Sequence, residues 1–331
     1  MVNDITPGVR QMLLSTLLFA GMNACVKQLH HLPALEIILF RSVFSIVASY
    51  VALRRLNVNP FGNNYRLLIS RGSTGALGLI CYFLALQHLP LATAVTVQYL
   101  APIFTAVLGI WLVREPVRSW QWVFFGLSFG GVLLVQQGSP VGAAVGSGGE
   151  AGLVFLGIGL LGALVSGLSY NAIRKLRGRE HPLVIVFYFP LISLPIAAVA
   201  CLFNWQTPDG TDWLWLLACG VFTQGAQLTM TRAYQMERLS RVAPLNYLGM
   251  FYALGLGYVF FDESFGVLAY GGMALVLFGV GLNIWYTNRV DTRAAALAPA
   301  EEVVAYNSGQ RRPDWRCRLR QRFHLGRHHL R

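Results

Sequence analysis

The sequence predicts an all-α integral membrane protein whose ten transmembrane helices form two inverted five-helix repeats. Three observations lead to this prediction: an apolar composition, an internal duplication at constant offset, and an alternating distribution of positive charge. The 331 residues are 55% hydrophobic and only 12% charged, whereas soluble domains carry about 25% charged residues. We therefore expect much of the protein's surface to contact the lipid bilayer.

Ten apolar runs are long enough to be considered as membrane helices, which need roughly 20 mostly apolar residues. Proline marks several of the breaks between them, where it can open a helix without losing a needed backbone donor. The predicted runs are about 9–28, 34–53, 67–87, 91–113, 120–137, 152–174, 182–203, 212–233, 242–261 and 265–286.

The second half of the chain repeats the first at an offset of 148 residues. The segment 85–115 reads ALQHLPLATAVTVQYLAPIFTAVLGIWLVRE, and 233–263 reads AYQMERLSRVAPLNYLGMFYALGLGYVFFDE. Polar identities are rare in apolar sequence, so they carry most weight: Asn23/Asn171, Lys27/Lys175, Tyr99/Tyr247 and Glu115/Glu263. Repeats of this kind define the architecture. We predict a first repeat at 9–137, a Gly/Ser-rich linker at 138–151, a second repeat at 152–286 and a basic tail at 287–331.

Positive charge is concentrated in alternate connections between the runs. Under the positive-inside rule this places both termini in the cytoplasm, and we expect a multi-pass protein of a bacterial inner membrane. Five spans per repeat is an odd number, so the second repeat is inverted, an arrangement typical of secondary transporters. The residues that define the pattern are Arg54, Arg55, Arg66, Arg114, Arg118, Arg174, Lys175, Arg177, Arg179, Arg238 and Arg241.

Several local sequences resemble one known family. They are RSVFSI after LPALEI, the long segment YFLALQHLPLATAVTVQYLAPIFTAVLGIWLVREPVRSWQW, and the trailing FGGVLLV. With the duplication, they make residues 10–287 similar to the EamA-type family of the drug/metabolite transporter superfamily. The resemblance implies a carrier, but not its solute, because family members move amino acids, nucleotide-related metabolites, vitamins and drugs.

Polar residues inside the runs are the candidates for solute binding, since polar groups at bilayer depth are costly and are usually functional. Gln98-Tyr99 and Asn246-Tyr247 are related by the repeat, and they could form the wall of a central cavity or simple interhelical hydrogen bonds. Tyr82, Tyr170, Gln224 and Gln227 are weaker cavity candidates.

Three basic residues extend this candidate set. Lys27 and Lys175 each follow an asparagine, Asn23 or Asn171, by four residues, so each pair shares one helix face. The lysines could take part in gating or snorkel to the headgroups. Arg41 lies inside the second run, where the resembled family also tends to carry an arginine. With few acidic residues in the runs, these cations favour an anionic or zwitterionic solute, such as an amino acid or a nucleotide-related compound.

Acidic residues are expected only at the margins of the runs. Glu36 is at the edge of run two, while Glu115 and Glu263 are at helix ends, where capping is the expected role. We therefore predict no buried carboxylate relay. Gly126 and Gly130 form a GxxxG motif that indicates close helix packing or dimerisation.

No catalytic residue, metal site or cofactor is predicted. The five cysteines have no paired spacing and are expected to be packing residues. Ten arginines and four acidic residues follow Trp285, so much of the net positive charge lies in the C-terminal tail. We expect this tail to lie near lipid headgroups rather than to bind nucleic acid. The predicted partners are a small-molecule solute and the bilayer, with a homodimer left open. A membrane-embedded lipid-modifying enzyme and a non-transporting sensor or scaffold are the alternative functions.

The orientation can be tested by labelling. In a background without native cysteines, we expect Ser147→Cys in the linker to react with an impermeant maleimide added to intact cells. Ser308→Cys in the tail should react only after the membrane is permeabilised. Equal labelling of the two positions in intact cells would contradict the ten-span topology.

Overall fold

A computed structural model describes residues 6–29, 31–88, 97–137, 150–203, 205–252, 255 and 266–296. These residues form helices and connecting turns, without strands in the described ranges. The α-helices are α1 (Pro7–Gln28), α2 (Ala34–Arg55), α3 (Tyr65–His88), α4 (Ala101–Leu112), α5 (Ser119–Gln137), α6 (Glu150–Lys175), α7 (Pro182–Cys201), α8 (Asp212–Met236), α9 (Leu239–Val242) and α10 (Val267–Ala296), with a 3₁₀-helix at Ala243–Leu248.

Most helices match the predicted runs to within a few residues, and the differences have local causes. The ninth run begins as the short helix α9 followed by the 3₁₀-helix, where Pro244 lacks the amide that a regular helix would use. Helix α10 ends at Ala296, ten residues beyond the predicted end of its run. The linker prediction and most of the predicted tail fall on residues outside the described ranges.

Among the described residues, six helices are long and apolar enough to cross a membrane: α1, α2, α3, α6, α7 and α10. Large apolar side chains also face outward on these and other helices, including Trp111 (74% exposed), Leu153 (69%) and Leu214 (68%). Exposed apolar surface of this extent indicates contact with lipid. The chain is an integral, multi-pass membrane protein, and the count of ten spans stays a prediction.

The main packing contacts join the first half of the chain (α1–α5) to the second half (α6–α10). Helix α1 packs against α8, α3 against α6, and α2 against α7. Further contacts join α2 to α8 and α3 to α7. The 148-residue offset exchanges α1 with α6, α2 with α7 and α3 with α8. It therefore converts the α1–α8 contact into the α6–α3 contact, and the α2–α8 contact into the α7–α3 contact.

Glycines allow α5 and α10 to pack closely, and these contacts are also related by the 148-residue offset. A Cβ atom on Gly131 would lie 2.7 Å from both the Gly272 carbonyl oxygen and Val276 Cγ2. A Cβ atom on Gly279, 148 residues later, would collide with Ser128 and lie 3.0 Å from the carbonyl oxygen of Phe124. Those two partners are themselves the offset equivalents of residues 276 and 272.

The predicted packing role of the GxxxG motif is wrong for the described residues. Among the described residues, a Cβ atom on Gly126 would meet nothing within 4 Å, and one on Gly130 would meet only Leu275, at 4.0 Å. The glycine that α10 requires is the neighbouring Gly131, because helix α5 turns a different face toward its partner. Dimerisation through the motif stays a prediction.

Polar contacts join the connections between helices in two groups, one at each end of the helices. At one end, Glu180 accepts hydrogen bonds from the backbone amides of Asn63 and Asn64 at 2.7 and 2.6 Å. At the other end, His31 Nε2 and Asp212 Oδ2 are within hydrogen-bond distance of each other, at 2.9 Å. The first contact joins the α2–α3 and α6–α7 connections, and the second joins the α1–α2 and α7–α8 connections. This grouping agrees with helices that traverse the bilayer in alternation.

Helix α7 begins at the first of these ends with a histidine cap. Burial, with the nearby Arg232, lowers the pKa of His181. A neutral ring can accept a hydrogen bond, and Nδ1 accepts one from the Leu183 amide at 3.3 Å.

Glu36 and Glu115 lie at helix ends, as predicted, but they are buried there. Glu36, Glu115 and Glu180 are 0%, 8% and 9% exposed, because neighbouring connections fold over these helix ends. Glu36 Oε2 accepts a hydrogen bond from the Gln206 amide at 3.1 Å. The packing role of the cysteines is confirmed for the four that the structure describes, which are all buried and free: Cys25, Cys81, Cys201 and Cys219.

Backbone contacts divide the chain at Asn283, so the end of α10 belongs to a second unit. Within that unit, the guanidinium of Arg289 lies 4.3 Å from the centre of the Trp285 ring.

Candidate functional site

A buried arginine that the sequence analysis missed lies between the two halves. Arg71 is six residues inside α3 and only 2% exposed. Its Nη1 donates to Ser169 Oγ at 2.8 Å and its Nη2 to Gln227 Oε1 at 3.4 Å. Its Nε has no hydrogen-bond partner within the described protein. Helices α6 and α8 of the second half thus hold a cation that belongs to the first half.

The signal for Arg71 was present in the sequence, since a charged residue inside an apolar run is functional by default. The same signal selected Arg41, which lies seven residues inside α2. At a rise of 1.5 Å per residue, both arginines are about 10 Å from the N-terminal ends of their helices. They are therefore at bilayer depth.

Arg41 and Arg71 meet at one aromatic ring. The guanidinium carbon of Arg71 is 5.4 Å from the centre of the Phe189 ring, and that of Arg41 is 5.9 Å from it. Gly75 makes this approach feasible, because a Cβ atom there would collide with the Arg71 guanidinium and lie 2.8 Å from the Phe189 ring. Both distances are within the range of cation–π attraction.

Beside this ring is a narrow cavity of about 10 Å³, roughly the room that one water molecule needs. Ligand pockets usually measure about 300–1,000 Å³, so the described residues do not enclose a metabolite-sized space here. Proline at 190 removes a helical hydrogen bond within α7 at this level. The lining residues are Arg41, Ser42, Ser45, Val186, Phe189, Pro190, Thr223 and Gln227.

Charge in the cavity is positive without local compensation. In the described ranges, no carboxylate lies within ion-pair distance of Arg41 or Arg71, and Arg41 Nη1 contacts only the weakly accepting sulfur of Met22 at 3.8 Å. Buried charges are normally paired, so two guanidinium groups without a carboxylate make this a candidate place for an anion to bind.

The predicted tyrosines form two aromatic pairs across the chain. The rings of Tyr170 and Tyr234 stack at 5.0 Å, and Asn246 Nδ2 donates to Tyr234 Oη at 2.9 Å. The rings of Tyr99 and Tyr247, which the repeat relates, approach to 5.9 Å.

The remaining candidate residues contact hydroxyl groups or an aromatic ring. Gln98 Nε2 is 3.5 Å from Ser166 Oγ, and Tyr82 is beside Phe83 at 5.9 Å. Gln224 Nε2 donates to Ser49 Oγ at 2.8 Å. Solute binding by these residues stays a prediction, because each contact is also compatible with helix packing.

The two asparagine–lysine pairs differ in their surroundings. Asn23 is exposed on α1, while Asn171 is fully buried and donates to the Thr105 and Gly167 carbonyl oxygens at 3.0 and 2.9 Å. Lys175 is partly exposed, and the side chain of Lys27 lies outside the described part of the chain. Of the three side chains that the structure describes, Asn23 and Lys175 reach the surface, whereas Asn171 is enclosed.

A second charged group, between Arg174 and Glu115, connects the halves at the C-terminal end of α6. Arg174 Nη2 and Nε are 2.6 and 2.7 Å from Glu115 Oε1. Arg174 Nη1 also donates to the carbonyl oxygens of Tyr234 and Gln235. Glu115 Oε2 accepts from the Leu239 amide at 3.0 Å. The capping role expected for Glu115 is thus combined with a buried ion pair, which sequence spacing did not reveal.

Comparison with known proteins identifies the family. The model of the EamA-like transporter family matches residues 6–136 and again residues 153–285. The chain belongs to the EamA-like transporter family. Among its relatives, the pseudopaline exporter CntI of Pseudomonas aeruginosa is 31% identical over 274 residues, which are 82% of this chain and 93% of the relative.

More distant relatives cover most of this EamA-like transporter as well. Human solute carrier family 35 member G1 is 26% identical over 84% of this chain and 80% of its own length. A solved crystal structure with 16% identity has a TM-score of 0.74 and matches 88% of this chain and 99% of its own. At that identity the crystal structure establishes the fold alone.

The buried ion pair gives a stability prediction. Removing one partner of a buried pair typically costs about 3–5 kcal/mol, because the other charge is left uncompensated. We expect Arg174→Met to lower the thermal unfolding temperature of the purified protein clearly. Arg174→Met combined with Glu115→Gln should recover part of the loss. The exposed Arg177→Met is the matched control and should unfold like the unmodified protein. A double variant as unstable as the sum of its single variants would contradict direct pairing.

Proposed function

We propose that this EamA-like transporter is a secondary carrier for a small anionic or zwitterionic metabolite, which it moves across the cytoplasmic membrane by alternating access. The observation that carries the proposal is the buried Arg71, held between the two halves beside a polar cavity without a carboxylate in the described ranges to neutralise it. The name of the P. aeruginosa relative, an exporter of pseudopaline, supports a small-molecule solute.

The proposed motion uses the two halves as inverted repeats. The paired contacts that the 148-residue offset exchanges, α1–α8 with α6–α3 and Gly131 with Gly279, support a pseudo-twofold relation between them. Inverted repeats can rock about a site near the midplane and expose it to each side in turn. In this proposal, Arg71, Arg41 and Phe189 would form part of such a site.

The ion pair between Arg174 and Glu115 is the proposed cytoplasmic gate. It joins the second half to the first at the end that the positive-inside rule assigns to the cytoplasm, so opening toward the cytoplasm requires it to separate. The offset places Val26, an apolar residue, at the position equivalent to Arg174. The two gates therefore differ in chemistry, and the inner one is stabilised by charge.

The alternatives predict different behaviour. A lipid-modifying enzyme would convert a membrane component without moving a solute, and a sensor or scaffold would do neither. Because the named relatives quoted above are an exporter and a solute carrier, we favour transport over both alternatives.

Transport by the purified protein in liposomes tests the function. We expect at least one solute from a panel of organic acids, amino acids and nucleotides to accumulate by counterflow. Arg71→Met should reduce its rate at least about tenfold, since a charge-assisted hydrogen bond is worth about 1.5–3 kcal/mol. Arg66→Met, which removes an exposed arginine from the same helix, should retain the rate. Lack of transport for every solute by well-folded protein would contradict the proposal.

Gating can be followed by accessibility of a single cysteine, Asn246→Cys, in a background without native cysteines. Glu115→Gln should increase its labelling from the cytoplasmic side, because weakening the inner contact favours the inward-open state. Glu237→Gln is the control, since it weakens the ion pair between Glu237 and Arg241 within the second half alone. Unchanged labelling, or an increase from the outer side, would show that the pair is not a gate.

A further inference from the structure

We infer that the solute carries two separate anionic groups, a dicarboxylate in the simplest case, and that Arg71 and Arg41 each bind one of them. The inference rests on the carrier function proposed above and narrows its solute class. It follows from charge balance, from the geometry around Phe189 and from the unequal fixation of the two arginines.

Charge balance favours a dianion over a zwitterion. Arg41 lines the cavity, and Arg71 lies against two of its lining residues, Phe189 and Gln227. Within the described residues, neither arginine has a carboxylate in ion-pair distance. The remaining lining residues provide hydroxyl, amide and apolar groups. A zwitterion would neutralise one arginine and bring an ammonium group that finds no carboxylate here. A solute with two negative charges compensates both cations.

The distances allow one solute to contact both arginines. Both guanidinium carbons lie within 6 Å of one ring centre, so they are separated by at most about 11 Å, the sum of the two distances. Each charge-assisted N···O contact occupies about 2.8 Å. A short carbon chain with a carboxylate at each end can therefore reach both arginines, and a phosphate monoester, which carries its negative charges on one group, is the compact alternative that the experiment includes.

The two arginines differ in how firmly they are held. Arg71 is fixed by Ser169 and Gln227, yet two hydrogen bonds use only part of its five N–H donors. Arg41 is only partly buried, and its hydrogen bond goes to a thioether, a weak acceptor. Arg71 is thus a preorganised anchor for the first carboxylate. Arg41 can adjust to the second carboxylate and thereby determines the preference for dianions.

The experiment compares solutes of matched length by competition in the liposome assay. The probes are glutarate, pentanoate, leucine and glycerol 3-phosphate, tested on the unmodified protein and on Arg41→Met, Arg71→Met and the control Arg66→Met. We expect glutarate to compete at concentrations at least about tenfold lower than pentanoate. Arg41→Met should bring these two concentrations within about threefold, and Arg71→Met should weaken competition by both.

Folding is checked by gel filtration, and Arg41→Lys provides a second variant that keeps the charge and should retain part of the preference for glutarate. Equal competition by glutarate and pentanoate, a preference for leucine or glycerol 3-phosphate, or an unchanged ratio in Arg41→Met would each overturn the inference. Transport of zwitterions alone would contradict the inferred dianionic solute and leave the proposed carrier function intact. Lack of transport of every solute would instead contradict the carrier function itself.

Discussion

Enclosing a positive charge at bilayer depth is the constraint around which this protein is arranged. Arg71 is almost fully buried on α3, and its polar contacts come from Ser169 on α6 and Gln227 on α8. Insertion of an arginine near the centre of a helix costs about 2.5–3.5 kcal/mol, so the fold must supply partners from several helices. Gly75 leaves the space in which the guanidinium reaches the Phe189 ring. The packing of α3 against α6 and α7 follows from the same requirement.

A second buried arginine meets the same constraint in the opposite way. Arg174 is neutralised by Glu115 and also bonded to backbone carbonyl oxygens at the end of α8. A paired charge can hold two halves together, whereas a cation without a carboxylate retains binding capacity for an anion. In the function proposed above, Arg174 would help to close one side of the carrier and Arg71 would bind the solute.

Duplication and divergence contribute different parts of this arrangement. Gly131 and Gly279 make equivalent contacts between α5 and α10, and the helix pairs between the halves exchange under the same offset. The charged and polar groups do not make equivalent contacts under this offset. Asn23 is exposed while Asn171 is buried, and Arg41 and Arg174 have Phe189 and Val26 at their equivalent positions. The scaffold keeps the symmetry of the repeat, and the candidate site depends on its loss.

The amino-acid sequence by itself determined the membrane class, the family and most helix positions, because hydrophobic runs and prolines are local signals. It also selected Arg41 and Gln227. The tertiary structure decided which polar residues meet. In the structure, Arg71 is part of the candidate site, and Glu115 pairs with Arg174, which is 59 residues away in the chain. The glycine that packs against α10 is Gly131, and not Gly126 or Gly130. These outcomes depend on the rotation of each helix about its axis, and that rotation is set by contacts between distant segments.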